Sequence, residues 1–232
     1  MVSYLIDEKD PESTGVEAPF IRLYAATTGN NYKVSILLEL LGLDYQVRKI
    51  DIRAGQQKED WFLAINPNGR TPSLTDADKD GKVTHISESA AIMIYLADKY
   101  DKDRKYSYAP GTDLYYEELE WTFFQMAGLG PMGGQYNHFA RFAPVKIDYA
   151  IERYFNETVR LFGVLEERLT RNKTGYLVGD RLGISDIVSY VWVNSLKEFG
   201  FAEEIKKLPR LEQWAEKISK IDAVKRGTSI FQ

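Results

Sequence analysis

Residues 66–96 read NPNGRTPSLTDADKDGKVTHISESAAIMIYL, and their order of turn formers, apolar runs and caps decides the fold. Asn66-Pro67-Asn68-Gly69 is dense in turn-forming residues, and Arg70-Thr71-Pro72 leads directly into apolar sequence. Pro72 lacks the N–H that a ladder needs, which predicts a sheet edge or a special turn. Only an X-Pro bond adopts the cis form cheaply, so Thr71-Pro72 is the place for one. Residues 76–82 form a polar reversal and 82–86 a short second strand. Ser87-Glu88-Ser89 then caps a helix whose apolar residues recur at Ile92, Ile94, Tyr95 and Leu96. A helix beginning Glu-Ser beside an Arg-X-Pro turn offers orphan N–H groups and a hydroxyl to a ligand carboxylate. The same residues also suit an ordinary hairpin and helix that hold no ligand.

Upstream, Phe20–Ala25 (FIRLYA) suits a short buried strand and 27–31 (TTGNN) a cap-rich loop. Residues 32–41 form an amphipathic helix stopped by Gly42, and 45–52 (YQVRKIDI) alternate like a strand. Strand, helix, strand in that order predicts a parallel crossover. Residues 55–64 read as a loop and short helix. Residues 1–18 form a polar surface extension, and 102–111, charged and tyrosine-rich before Pro110-Gly111, form a linker. Everything beyond is helical in pattern: 114–126, a break at the glycine-rich 128–134, then 144–169, 184–198 and 208–221. The expected organisation is an α/β domain over 19–101 and an all-α domain over 112–232.

The 232 residues suffice for one large domain or two small ones. A hydrophobic share of 44% and a charged share of 28% are ordinary for a soluble globular protein. Net charge of −4 and a pI near 5.4 argue against non-specific nucleic-acid binding. No apolar run approaches the roughly 20 residues that span a bilayer. The acidic MVSYLIDEKDPESTG lacks the apolar core of a secretion signal, so a cytoplasmic location is expected. Cysteine count is zero. That removes disulfides, thiolate metal sites and any protein thiol nucleophile. Sulfur chemistry here must use sulfur that arrives with the ligand.

Turn, hairpin and capped helix in this order resemble the glutathione-binding half of the glutathione transferase superfamily, a thioredoxin-like domain. The helical remainder resembles that superfamily's second domain. Gly29-Asn30-Asn31-Tyr32-Lys33 is similar to a motif of one subgroup, the bacterial nu class and the fungal nitrogen-regulator class. There the pattern is Pro-Asn-Gly, an aromatic or His, then Lys; this chain keeps the Asn and Lys and replaces the Pro and Gly. GLGPM at 128–132, Gly134-Gln135, His138-Phe139 and Tyr149-Ala-Ile-Glu-Arg-Tyr154 resemble the same subgroup. The likeness extends over residues 19–232.

The resemblance implies that the backbone of Thr71 pairs with the cysteinyl backbone of glutathione and that Glu88 and Ser89 hold its γ-glutamyl end. Gln57 would face the glycyl carboxylate, with Lys33 and Arg70 adding positive charge for a peptide with two carboxylates. Asn30 and Thr28 sit where the thiol should be. A free thiol has a pKa near 8.5, and donors with helix-terminal N–H groups raise its thiolate fraction. Tyr24, at the place of the catalytic phenol of tyrosine-type relatives, competes for that role or borders the second-substrate pocket with His138 and Phe139. Arg153 is carried over as a residue near the thiol. Each has a plainer reading: Asn30 as a helix cap, Tyr24 as a strand aromatic in the core, Arg153 paired with Glu152 or Glu157, His138 as structural.

Other motifs fail their context. Asp76-Ala-Asp78-Lys-Asp80-Gly81 imitates a calcium loop, but Ser87 stands where the bidentate Glu should be. The glycines of 128–134 follow a helical pattern, not a strand, which excludes a dinucleotide loop. Residues 177–186 (LVGDRLGISD) match a folding motif of the helical domain, with Gly183 at the cap and Asp186 three residues on. The expectation is a homodimeric enzyme, without metal, that activates glutathione for disulfide reduction or conjugation to an electrophile. The alternative is a non-catalytic regulatory protein that binds glutathione. Neither reading includes a nucleic-acid or membrane partner.

Overall fold

The computed structural model describes residues 2–4 and 17–231. The chain divides into two compact units, Met1–Tyr100 with Asp222–Gln232, and Asp101–Ile221. The first contains β1 (Val2–Tyr4), β2 (Phe20–Ala25), α1 (Gly29–Leu40), β3 (Tyr45–Lys49), α2 (Asp60–Ile65), β4 (Ser73–Ala77), β5 (Val83–Ser87), α3 (Ser89–Tyr100) and α10 (Asp222–Thr228). The second contains α4 (Asp113–Phe124), α5 (Gly130–Asn137), α6 (Asp148–Asn172), α7 (Ile184–Leu196), α8 (Ala202–Lys206) and α9 (Pro209–Ser219).

The sheet has strand order β1-β3-β2-β4-β5. Strands β1, β3 and β2 run parallel, while β4 is antiparallel to both β2 and β5. The β2–α1–β3 crossover is thus the parallel unit that the strand–helix–strand pattern predicts. Leu23, Val47 and Leu74, on three adjacent strands, are fully buried with Val34 and Ile36 of α1 and Ile92 and Leu96 of α3. Each such side chain contributes roughly 1.5–3 kcal/mol by leaving water. Register decides where the ends fall. Tyr24 lies opposite Ser73, and Ser73 opposite Ser87. So β2 ends, β4 begins and β5 ends at one end of the sheet, and α1 and α3 both start there.

Three expectations are corrected. Within the expected surface extension 1–18, Val2–Tyr4 pairs with Tyr45–Val47 as an edge strand. Three residues carry too little alternation to announce a strand. Residues 5–16 lie outside the described residues. The expected 112–232 helical domain also loses its last segment, because α10 packs on α1 in the first unit. A Cβ on Gly227 would lie 2.6 Å from Ile36 Cα, so the two helices meet backbone to backbone. Ser35 Oγ donates to Gly227 O at 2.6 Å, and Arg226 Nε meets Glu39 Oε2 at 2.7 Å. Finally, 128–134 is no break. A π-helical turn at Gln125–Leu129 runs straight into α5. Its glycines serve packing: a Cβ on Gly133 would lie 2.8 Å from Leu196 Cδ1.

The second unit is held by a buried carboxylate. Asp186 accepts from Leu177 N at 2.9 Å, Gly183 N at 3.1 Å and Trp214 Nε1 at 2.8 Å. Burial still pushes its carboxyl up to about 6, against those donors. Gly183, the N-cap of α7, has no side chain to cap with. Glu118 from α4 supplies it instead, its Oε1 accepting from Ile184 N at 2.9 Å. Among the described residues no helix is long and apolar enough to cross a membrane.

Candidate functional site

The sheet end where α1 and α3 begin gathers most of the expected site. Thr28 is the N-cap of α1, extended at φ −141°, and its hydroxyl accepts no helix N–H. Asn30 is partly exposed in the first turn of α1. Its neighbour Asn31 is 0% exposed, and its Nδ2 donates to Thr28 Oγ1 at 2.5 Å and to Thr71 Oγ1 at 3.2 Å. One amide therefore ties the start of α1 to the turn before β4.

That turn carries a cis Thr71–Pro72 bond. Asn66, 2% exposed, braces it: Nδ2 donates to Arg70 O at 2.7 Å and to Ser73 Oγ at 3.0 Å. Its Oδ1 accepts from Asn68 N at 3.1 Å. Gly69 sits at φ +60°, where a Cβ would lie 2.8 Å from Gln57 O, so only glycine fits. With both sides of the turn held, the Thr71 backbone is presented in one extended geometry.

On the α3 side, Glu88 adopts φ +70°, a left-handed conformation that costs a non-glycine residue about 1–2 kcal/mol. Its carbonyl accepts from Ile92 N at 2.9 Å, so Glu88 is the residue from which α3 starts, its carboxylate exposed. Ser89 follows, buried. Strain of this kind collects at binding sites, where neighbouring structure over-determines it. Lys33, one turn into α1, is fully buried. Desolvation pushes its ammonium down to about 7, while the Glu88 charge pulls it up. Lys33 therefore acts on this site through Glu88, from inside the protein.

The remaining expected residues scatter. Arg70 and Gln57 flank the turn, Arg70 exposed. Gln57 Nε2 is already committed to Ile52 O at 3.2 Å, while its Oε1 is buried without a hydrogen-bond partner. Tyr24 is 1% exposed and packs among Ile50, Phe62 and Trp61, with ring centroids 6.1 Å from Phe62 and 6.4 Å from Trp61. It is a core aromatic and borders no pocket, because the strand places its side chain on the face that α2 covers. Arg153 belongs to the second unit, exposed on α6. There it lines a concavity of about 460 Å³ with Met132, Tyr149, Asn156 and Arg160, and Glu157 lies within its electrostatic reach. In the same unit His138 is exposed, edge-on to Phe139, and Phe139 stacks on Tyr154 at 5.7 Å. The calcium-like Asp76 is otherwise engaged. One of its oxygens accepts from Tyr95 Oη, Lys99 Nζ and Tyr100 Oη at 2.9, 2.8 and 2.7 Å.

Two helix N-termini, two threonine hydroxyls, the Asn30 amide and a buried Ser-Glu corner thus converge at one end of one sheet. Such a place suits an extended peptide with an anionic end and an ionisable thiol. Asn31 and Asn66 were not singled out by the sequence reading as site residues. Asn31 did carry a signal, since it stands three residues after the cap Thr28, the spacing of a reciprocal cap.

Two family profiles match the chain: glutathione S-transferase N-terminal domain over residues 31–99 and glutathione S-transferase C-terminal domain over 145–226. Disulfide-bond oxidoreductase YfcG of Escherichia coli is 38% identical over 207 residues, 85% of this chain and 89% of that protein. Glutathione S-transferase 2 of Schizosaccharomyces pombe is 38% identical over 216 residues, 88% of this chain and 92% of that one. A glutathione transferase homologue from Lodderomyces elongisporus, solved with two glutathiones per subunit, has a TM-score of 0.88 at 43% identity, covering 93% of this chain and all of that one. With relatives this similar across nearly the whole chain, and both domains matched in order, the chain belongs to the glutathione S-transferase family.

Proposed function

We propose that this chain is an enzyme that binds glutathione at the shared end of α1, β4 and α3, stabilises its thiolate, and uses it against a disulfide or an electrophilic carbon. The observation that carries the reading is the Asn31 bridge between Thr28 and Thr71, 2.5 and 3.2 Å long. It joins a thiol-stabilising loop to a peptide-docking turn. In disulfide reduction the thiolate attacks one sulfur of the substrate. A new S–S bond forms to glutathione, the old one breaks, and the leaving thiolate takes up a proton. A second glutathione thiolate then resolves the mixed disulfide, so two glutathiones become glutathione disulfide and the substrate becomes two thiols. The chain has no cysteine, so both sulfurs come from the ligand. A relative from Phanerochaete chrysosporium solved with oxidised glutathione, TM-score 0.84 at 36% identity, is in keeping with that product.

The same reading takes the protein as a homodimer of the nu and fungal nitrogen-regulator type, with Arg153, His138 and Phe139 toward the second substrate. It takes the cytoplasm as the compartment, since thiols are kept reduced there. The test is turnover of hydroxyethyl disulfide with glutathione by the wild type, Asn30→Ala and Thr28→Val. We expect clear wild-type turnover and a loss of roughly tenfold or more in each variant. Glutathione binding without any turnover would instead establish the regulatory alternative. Equal turnover in all three would remove Asn30 and Thr28 from the mechanism.

A further inference from the structure

The hydrogen bonds of Asn31 have a polarity as well as a position. An amide nitrogen carries only donors, so both hydroxyl oxygens that meet Asn31 Nδ2 are acceptors there. The Thr28 hydroxyl has no helix N–H to accept from, being free of the usual capping bond. With its lone pair engaged by Asn31, its single O–H proton must point elsewhere. The same holds for Thr71. The amide orients both hydroxyls with their protons away from it, toward whatever lies at the mouth of α1. The cost is visible on the other side of the amide, where Asn31 Oδ1 is buried with no hydrogen-bond partner. A buried acceptor left unpaired is disfavoured by about 1–3 kcal/mol. Reversing the amide would pair Oδ1 with both hydroxyls and take their protons away from the ligand.

We propose that Asn31 is a positioning residue that sets the hydrogen-bond polarity of the site, holding the Thr28 hydroxyl as a donor to the glutathione thiolate. It touches no ligand; it acts through Thr28, and secondarily through Thr71. This rests on the glutathione reading above and assigns a role to a side chain which that reading does not need. Of the two neighbouring asparagines, Asn30 would meet the thiol and Asn31 would aim the hydroxyl.

The test is the apparent pKa of glutathione's thiol when bound, read from thiolate absorbance and from the acid limb of the turnover–pH profile. Asn31→Asp is nearly isosteric but accepts where asparagine donates, so both hydroxyls turn their protons toward position 31. Asn31→Ala releases them without reversing them. The expected order of thiolate formation is wild type, then Asn31→Ala, then Asn31→Asp, the last with a bound pKa back near that of a free thiol, about 8.5. At a fixed pH below that value, turnover falls roughly tenfold each time the bound pKa rises by one. An acidic residue in the first turn of a helix is favourable, so Asn31→Asp should fold, as a thermal melt will verify. Added negative charge alone would also raise the pKa, and the Thr28→Val background separates the two effects. There Asn31→Ala should move the pKa no further, because no hydroxyl remains to be aimed. Wild-type turnover with an unchanged pKa in Asn31→Asp, or additive changes with Thr28→Val, overturns the proposal and leaves the glutathione reading standing. Absence of any glutathione binding by the wild type overturns both.

Discussion

Gly183 is a position where a single methyl group should be costly for a reason far away in the chain. Its backbone, at φ −121°, suits any residue. The obstacle is Glu118: a Cβ would lie 2.2 Å from its Oε1 and 3.4 Å from its Cδ. The carboxylate must withdraw by roughly 1 Å to restore ordinary contact, and it then releases its 2.9 Å bond from Ile184 N. A buried donor left unpaired costs about 1–3 kcal/mol, and alanine's stiffer unfolded chain offsets about 0.4–1 kcal/mol. Gly183→Ala should therefore destabilise by roughly 1–2 kcal/mol, or about 2–8 °C in Tm for a chain of this size. Urea titration followed by Trp fluorescence is a suitable assay, because Trp214 donates to the same Asp186 that begins α7. The midpoint should fall with little change in slope. The decisive variant is Glu118→Ala combined with Gly183→Ser. It replaces a cap supplied by α4 with one supplied by α7 itself, opposite Asp186 at the third position. The double variant should exceed the sum of its single changes by about 1 kcal/mol. A Gly183→Ala protein as stable as wild type, or strict additivity in the double variant, would refute the assignment of Glu118 as the cap.

Two further predictions concern pH. Burial pushes the Glu118 carboxyl up to about 8, against the pull of the Ile184 N–H. A raised folded value means stability that is fully present below about 4.5 and is lost as pH rises through about 8. Glu118→Gln should flatten that decline in a stability–pH series, and an unaltered slope would count against it. Lys33 works in the opposite sense, since burial lowers its ammonium from 10.5 to about 7. Between those values the unfolded chain holds the extra proton, so this group makes stability rise with pH across that window. Lys33→Met should abolish this rise; a profile unchanged from wild type would mean that Lys33 is not the buried titrating group.

Much of the first unit was legible because its signals are local. Turn formers at 66–69, the Arg-X-Pro entry to a strand and the Glu-Ser start of a helix are each read within a few residues. The left-handed Glu88 and the cis Thr71–Pro72 bond lie at those signals. Tyr24 was ambiguous for a physical reason: a strand alternates its side chains, and the pattern does not say which face another element covers. Covering by α2 made it core. Glycines were misread at 128–134 because a missing Cβ looks the same in a sequence whether it frees the backbone or admits a neighbour such as Leu196.

The sequence by itself determined the order of elements, the two-part organisation, the ligand-supplied sulfur and the end of the sheet where a peptide would dock. All of these follow from periodicity, caps and composition, which act over one or two turns of chain. Only the tertiary structure decided which donors face which acceptors. Asn31 became the bridge because register brings Thr71 beside the α1 cap, and Glu118 became the cap of α7 because Gly183 leaves room for it. Residues 222–228 left the helical unit because Gly227 lets two backbones touch. Contacts between residues distant in the chain depend on shape after folding, and a sequence pattern carries no record of shape.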